Sequence, residues 1–350
     1  MLRSNSSASY FPNSADLCAT GDAERQLHEQ ASAAAHRHFA NKVFVRGVVE
    51  ISNFCRQNCS YCGMRRENKT LERYRAKHED IAELLIHHRP ASITDINIQT
   101  GEDPVAVREI VLPLVRLLKK ETRLGISVCL GSLSTNLYDE LQDAGASLYI
   151  LKFETGDPEA YLKLQSPGTL TQRISNIAYL AGKGWSVSSG FIAGLPGVGP
   201  REMLANFQLA AELPIDGCSV SPFVPGDETP LSAEKTASIE LTLNCMAALR
   251  LMRPDWVIPA VSALNLAEPG AGYRRGLRTG ANLVTINLTP AEYRDDYLLY
   301  KRDRFIMTEE IILKAIQAEG LEPSVTGLAE FYRSKKNQFV NGVNSLVTSV

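Results

Sequence analysis

The run Val43-Phe-Val-Arg-Gly-Val-Val-Glu-Ile51 passes directly into Ser52-Asn-Phe-Cys55-Arg-Gln-Asn-Cys59-Ser-Tyr61-Cys62. Its Val and Ile content predicts a strand, and the loop after a first strand separates two architectures. An open, doubly wound sheet would set a glycine-rich phosphate turn there. This chain instead sets three cysteines with the spacing C-x3-C-x2-C. Thiolates three and four residues apart on a tight loop can converge on one inorganic centre.

Beyond that loop the chain alternates. Strands are predicted at residues 43–51, 95–100, 125–130, 148–153, 186–193, 218–223, 257–263 and 282–287, and the segments between them read as helices. The clearest helix carries Val107, Ile110, Val111, Leu114, Val115 and Leu118 on one stripe. Eight strands, each coupled to a helix over about 250 residues, predict a closed (β/α)8 barrel of the TIM type. We expect residues 1–40 to hold a mobile arm, up to about residue 22, and an N-terminal helix. Residues 41–306 would form the barrel, and 307–350 a closing helix with a loosely ordered tail.

The chain has 350 residues, 37 basic against 39 acidic, and 44% hydrophobic residues. This composition is that of a globular protein, and the charge balance predicts no bulk attraction to nucleic acid or to an anionic membrane. No apolar run approaches the roughly 20 residues of a membrane helix. The Ser-rich start lacks the apolar core of a secretory signal, so the cytoplasm is the expected location. Seven cysteines, an odd number without an export signal, point to reactive or metal-binding thiols instead of a disulfide framework. Cys129, Cys218 and Cys245 read as small buried core residues.

A closed structural zinc site takes four protein ligands, and no fourth Cys or His stands at finger spacing. A [4Fe–4S] cluster held by three cysteines leaves one iron open to an external chelating molecule. The spacing, with aromatic Tyr61 just before the third cysteine, resembles the signature of the radical S-adenosylmethionine (SAM) superfamily. That resemblance implies a [4Fe–4S] cluster on Cys55, Cys59 and Cys62. It also implies reductive cleavage of SAM to a 5′-deoxyadenosyl radical, and an electron donor such as flavodoxin or ferredoxin. It further implies SAM contacts at the C-terminal ends of the strands: Gln99, Thr100, Gly101 and Glu102 at the methionine amino group, Lys152 and Glu154 at the ribose, Arg173 at the carboxylate, and Ile192 and Leu195 along the adenine. Each has a plainer alternative, such as a helix cap for Glu102 and Asp103 or a surface charge for Glu154.

Within the superfamily the chain is most similar to the biotin synthase-like branch, in Arg46-Gly-Val-Val-Glu-Ile-Ser-Asn-Phe-Cys55, Gly101-Glu-Asp-Pro104, Pro222-Phe-Val-Pro225 and Ile258-Pro-Ala260. These match best the HydE family of [FeFe]-hydrogenase maturases, which implies a small or organometallic substrate. Biotin synthase-like sulfur insertion is disfavoured, because Ser188 stands where a second-cluster cysteine would. Lysine isomerisation of the methylornithine synthase (PylB) type is disfavoured by Ser219, Val261 and Ala263, which offer no ionic clamp. Ser188, Ser219, Ser221, Ser262, Asn287 and Thr289, near strand ends, are candidate lumen contacts. Residues 293–300 could close the mouth. A different class of function, an iron–sulfur scaffold that delivers its cluster to a client, remains the alternative to an enzyme.

Overall fold

A computed structural model describes residues 10–301 and 305–347. Seven parallel strands form one curved sheet in the order β6-β5-β4-β3-β2-β1-β7. They are β1 (Lys42–Ser52), β2 (Asp95–Thr100), β3 (Gly125–Cys129), β4 (Leu148–Ile150), β5 (Ser186–Ala193), β6 (Gly217–Pro222) and β7 (Leu283–Asn287). A two-residue strand, β8 (Glu322–Pro323), adds to the start of β1. Helices occupy the crossovers and cover the outer face, as parallel strands require.

Period-two alternation sorts β1 into two faces. Val43, Val45, Val49 and Ile51 pack into the layer between sheet and helices, while Arg46, Val48 and Glu50 line an interior cavity. On the outside, Leu114, Val115 and Leu118 of the helix Leu112–Glu121 are fully buried, so the predicted stripe is the packed one. That segment is not uniform: residues 107–111 wind as a π-turn inside it.

The eighth strand expected at 257–263 does not form a ladder. Val257 makes a single parallel bridge to Gly217, and Pro259 makes another to Leu283. The Ala260 N–H donates to the Leu283 carbonyl at 2.9 Å and the Asn282 N–H to the Ile258 carbonyl at 2.9 Å. Proline has no N–H to give a ladder, so Pro259 interrupts what the Val/Ile content suggests. The fold is thus an α/β parallel sheet of seven strands, with residues 257–260 linking its two edges through isolated bridges.

The two ends of the chain are more structured than expected. Residues 1–9 of the arm lie outside the described residues, but Ser14–Leu17 is a helix with a capping box formed by Asn13 and Asp16. Leu17 is buried, and Asn244 donates to the carbonyls of Leu17 and Ala19. The helix Gly21–Phe39 then lays Leu27 and Ala31 against Ala247. After the helix Glu309–Ala318, the part of the chain expected to be loosely ordered carries a helix, Leu328–Val347. Asp95, at the entry to β2, accepts from the N–H groups of Leu328 and Ala329 at that helix's first turn. Leu328 and Tyr332 are buried beneath the N-terminal ends of the strands, with Phe44, Leu148, Val257 and Leu283. No described helix is long and apolar enough to cross a membrane.

Candidate functional site

The interior holds a cavity of about 360 Å³, lined by alternate residues of successive strands. β1 supplies Arg46, Val48 and Glu50, β2 supplies Asn97 and Gln99, and β3 supplies Cys129. Ile150 and Lys152 follow on and just beyond β4, then Ser188 and Ile192 on β5, Ser219 and Ser221 on β6, and Thr285 and Asn287 on β7. Ser262 also lines it, so five of the six proposed lumen contacts are there. Thr289 is not. It is fully buried, and its hydroxyl accepts the Glu50 N–H at 3.0 Å, which fixes the chain after β7 against β1. Tyr297, Leu299 and Tyr300 border the cavity at one end, so the stretch after β7 takes part in the mouth.

The cysteine loop lies over that end. Tyr61 and Cys62 line the cavity, while Cys55, Cys59 and Cys62 are each half-buried and free. Burial pushes all three thiols up, Cys62 to about 12, and the proximity of the others adds to the rise at Cys59 and Cys62. Against that, backbone N–H groups point at sulfur: the Glu102 N–H reaches Cys55 Sγ at 3.4 Å, and the backbone at Met64 serves Cys62. Buried thiols that receive N–H donors suit metal-bound thiolate, whose charge a cation offsets. The loop's free edge is tied down by Arg73, which donates to the carbonyls of Asn53, Met64, Arg65 and Asn68.

Gly101 explains the close seat of the loop on β2. A Cβ there would stand 2.2 Å from the Phe54 carbonyl oxygen, so only glycine lets the two backbones meet. The neighbouring carboxylates divide their tasks. Asp103 is the cap: it accepts from Val105 and Ala106 N–H, and it also pairs with Arg75 and Ser52. Glu102 does not face the cavity with a vacant carboxylate. It accepts from Arg56 at 3.1 Å, from Gln57 and from the Ser132 N–H. An ammonium group at Glu102 would therefore compete with Arg56.

Lys152 and Glu154 form a partly buried ion pair, Nζ to Oε2 at 3.2 Å. Burial works against the Lys152 charge, yet Glu154 holds its pKa above the ordinary lysine value. Glu154 has φ +62, a left-handed conformation rare outside glycine. The backbone bulges there to rejoin β5, with the Glu154 N–H on the Gly190 carbonyl and the Ile192 N–H on the Glu154 carbonyl. Lys152 neutralises Glu154 Oε2 as a nearby charge, but that buried oxygen receives no well-directed hydrogen bond from the chain. Such a strained, acceptor-rich position is a feature of ligand sites. Arg173 is buried at the loop's other flank. Burial opposes its charge, but Tyr161, at 3.2 Å, and the Glu154 and Glu102 carboxylates stabilise it. Ile192 and Leu195 pack with Leu164 and Phe223, and with Tyr61 against them. Leu195 itself stays outside the cavity wall.

Among the cavity residues that lie beyond the expectations drawn from sequence are Arg46, Asn97 and Cys129. Cys129, expected in the core, faces the lumen instead. Arg46 is the most telling. It is 9% exposed, its Nε has no partner, and it reaches Thr285 Oγ1 only at 3.4 Å. Alternation counted back from Glu50 would have placed it inward.

A model for the radical SAM superfamily matches residues 49–210. The [FeFe] hydrogenase maturase subunit HydE of Thermotoga maritima is 32% identical over 302 residues, covering 85% of this chain and 86% of that one. The chain belongs to the radical SAM superfamily. A 3-methylornithine synthase of Methanosarcina acetivorans is 27% identical, covering 85% of each chain. The crystal structure of methylornithine synthase (PylB) superposes with a TM-score of 0.78 at 25% identity, over 90% of this chain and 95% of that one. Radical SAM proteins of this kind are enzymes that use a [4Fe–4S] cluster and S-adenosylmethionine, act on small molecules and need a reductant. Three free cysteines, two of them receiving N–H donors, and a buried Glu154 oxygen open to a directed donor fit that pair of cofactors.

Proposed function

We propose that this radical SAM enzyme holds one [4Fe–4S] cluster on Cys55, Cys59 and Cys62 and binds S-adenosylmethionine between the cysteine loop and the cavity. Its substrate would be a small or organometallic molecule enclosed by residues 41–306, in a HydE-like maturation or biosynthetic reaction. The observation that carries this reading is the orientation of the loop, with Tyr61 and Cys62 turned into the interior cavity, whose wall mixes apolar side chains with polar ones from most of the strands. When bound, the cluster and its ligand supply an electron transfer that breaks a C–S bond and releases a 5′-deoxyadenosyl radical.

The chain's own residues bind, orient and exclude water. Gln99, Thr100 and Gly101 lie where β2 meets the loop and are assigned to the methionine end. Glu102 acts there chiefly as a positioning residue, through its hold on Arg56 and Gln57. Arg173 suits the carboxylate, Glu154 Oε2 suits ribose hydroxyls, and the apolar Ile192 and Leu195 suit a base. Tyr297, Leu299 and Tyr300 narrow the mouth, which would keep a radical away from solvent.

A PylB-like isomerisation is the second reading, and one observation favours it. Arg46 gives the cavity a buried cation that could hold a carboxylate. The deciding experiment is anaerobic reconstitution with iron and sulfide, then dithionite and S-adenosylmethionine, with 5′-deoxyadenosine as the product sought. An intact cluster that forms no 5′-deoxyadenosine would sink the enzymatic reading and favour a cluster carrier. Amino acids that raise the yield in the unaltered protein but not in Arg46→Met would favour the isomerase.

A further inference from the structure

One nucleophile on the cavity wall takes no part in holding the cluster or S-adenosylmethionine. Cys129 ends β3 with its side chain facing the lumen. It is free and partly exposed, whereas Cys218 and Cys245 are fully buried in the layer between sheet and helices. Burial pushes the Cys129 thiol up to about 11, against the pull of Lys152, so at neutral pH the sulfur keeps its hydrogen.

Strand register fixes the height of that thiol. Glu50 pairs with Gln99 and Gln99 with Cys129, and all three line the cavity in one layer. Val128 pairs with Tyr149, so Cys129 stands level with Ile150, and Lys152 is the next inward residue above it. Two residues of strand rise make that step roughly 7 Å, from the layer of the thiol up to the Lys152–Glu154 pair assigned to the ribose. Arg46 lies four residues below Glu50 on β1, about 13 Å by the same rise. It lines the same cavity, 9% exposed, with its Nε unpartnered. A sealed cation with an unused donor calls for an acceptor on a guest. A guest held there and reaching toward the mouth passes the Cys129 sulfur.

We propose that Cys129 is a catalytic residue, the hydrogen-atom donor that quenches a carbon radical formed in this cavity. The proposal rests on the radical SAM reading. The S–H bond of Cys129 breaks homolytically, its hydrogen atom forms a C–H bond on the radical carbon, and a thiyl radical is left on Sγ. One electron from the reductant that drives S-adenosylmethionine cleavage, with one proton from water, restores the thiol. An S–H bond is weaker than an aliphatic C–H bond, so the transfer runs downhill. A substrate radical quenched in this way does not take its hydrogen back from 5′-deoxyadenosine, so one S-adenosylmethionine is spent per turnover. With no substrate in the cavity, the radical that meets the thiol is 5′-deoxyadenosyl itself.

The test needs no substrate. The reconstituted full chain is given dithionite and S-adenosylmethionine in D2O, in thiol-free buffer, and the 5′-deoxyadenosine formed is analysed by mass spectrometry. The product from the unaltered protein and from Cys218→Ala should carry one deuterium, since only exchangeable hydrogens are labelled. In Cys129→Ser that label is lost: serine keeps the size and an exchangeable hydrogen, but its O–H bond is too strong to yield one. Tyr300→Phe, which removes a phenolic O–H near Lys152, keeps the label. Unlabelled product from the unaltered protein, label retained in Cys129→Ser, or label lost in Tyr300→Phe would overturn the proposal. A second measurement reads the loaded protein without turnover. Methyl methanethiosulfonate should modify Cys129 and spare Cys218 and Cys245, and should act more slowly once S-adenosylmethionine is added. A Cys129 as inert as Cys218 would overturn the proposal as well. An intact cluster that forms no 5′-deoxyadenosine at all is a different result, and defeats the enzymatic reading itself.

Discussion

Asp103 performs three tasks with one carboxylate: it caps the helix after β2, accepts from Ser52 at 2.7 Å and grips Arg75 at 2.7 and 3.0 Å. Burial opposes its charge, but Arg75 and Ser52 hold its pKa below the ordinary aspartate value. A lowered acid contributes stability that is complete above its unfolded pKa, about 4, and is lost as pH falls through the folded value. Asp103→Asn should therefore cost about 2 kcal/mol at pH 7, and the gap to the unaltered protein should narrow below about pH 4 in urea unfolding. Arg46 is the opposite case, a desolvated cation without a carboxylate. Arg46→Met should leave stability equal or higher, by up to about 1 kcal/mol, and a clear loss of stability in the same assay would refute that. These two residues also mark what the sequence showed at this scale. Cysteine spacing announced itself, because three reactive side chains at fixed intervals have few other uses. Arg46 did not, because an arginine inside a strand reads as surface until the strand's two faces are assigned. Thr289 misleads the other way: proximity to a strand end suggests the lumen, but its hydroxyl is taken by the Glu50 N–H.

At the scale of elements, the joint between β2 and the cysteine loop is set by backbone contact. In Gly101→Ala the new methyl group would meet the Phe54 carbonyl at 2.2 Å, and one backbone has to move. We expect a loss of about 1–3 kcal/mol and iron incorporation well below the unaltered protein's, measured by metal and sulfide analysis. Full incorporation would show that the loop tolerates the shift. Six of the predicted strands appear where Val and Ile content placed them, and the last, ending at Asn287, does so too. Residues 257–263 carry the same composition without the ladder, since Pro259 can accept but not donate. The left-handed turn at Glu154 was likewise hidden: nothing in Lys152-Phe-Glu-Thr155 signals that the strand bulges before rejoining its neighbour.

For the molecule as a whole, the C-terminal helix is integral. Tyr332 is 2% exposed under the strand entrances, among Phe44, Leu148, Val257 and Leu283, and Asp95 anchors the helix start. Tyr332→Ala should cost about 3–5 kcal/mol and lower Tm in calorimetry; a change under about 1 kcal/mol would mean the helix is peripheral. The tail's Ser, Lys and Asn content concealed this, because only one turn in its first half presents apolar side chains to the sheet.

The bridges at Val257 and Pro259 have a mechanical meaning for the wall they complete. Around the rest of the cavity neighbouring strands are joined as ladders, whereas here two isolated bridges and a few backbone hydrogen bonds span the gap. Local opening follows the weakest stitching, so the amides of Ala260 and Asn282 should trade hydrogen for deuterium sooner than those of Val48 and Val49 in mid-β1. An enclosure with one soft panel can breathe sideways, and a bulky guest would find its give there and not in the rigid staves.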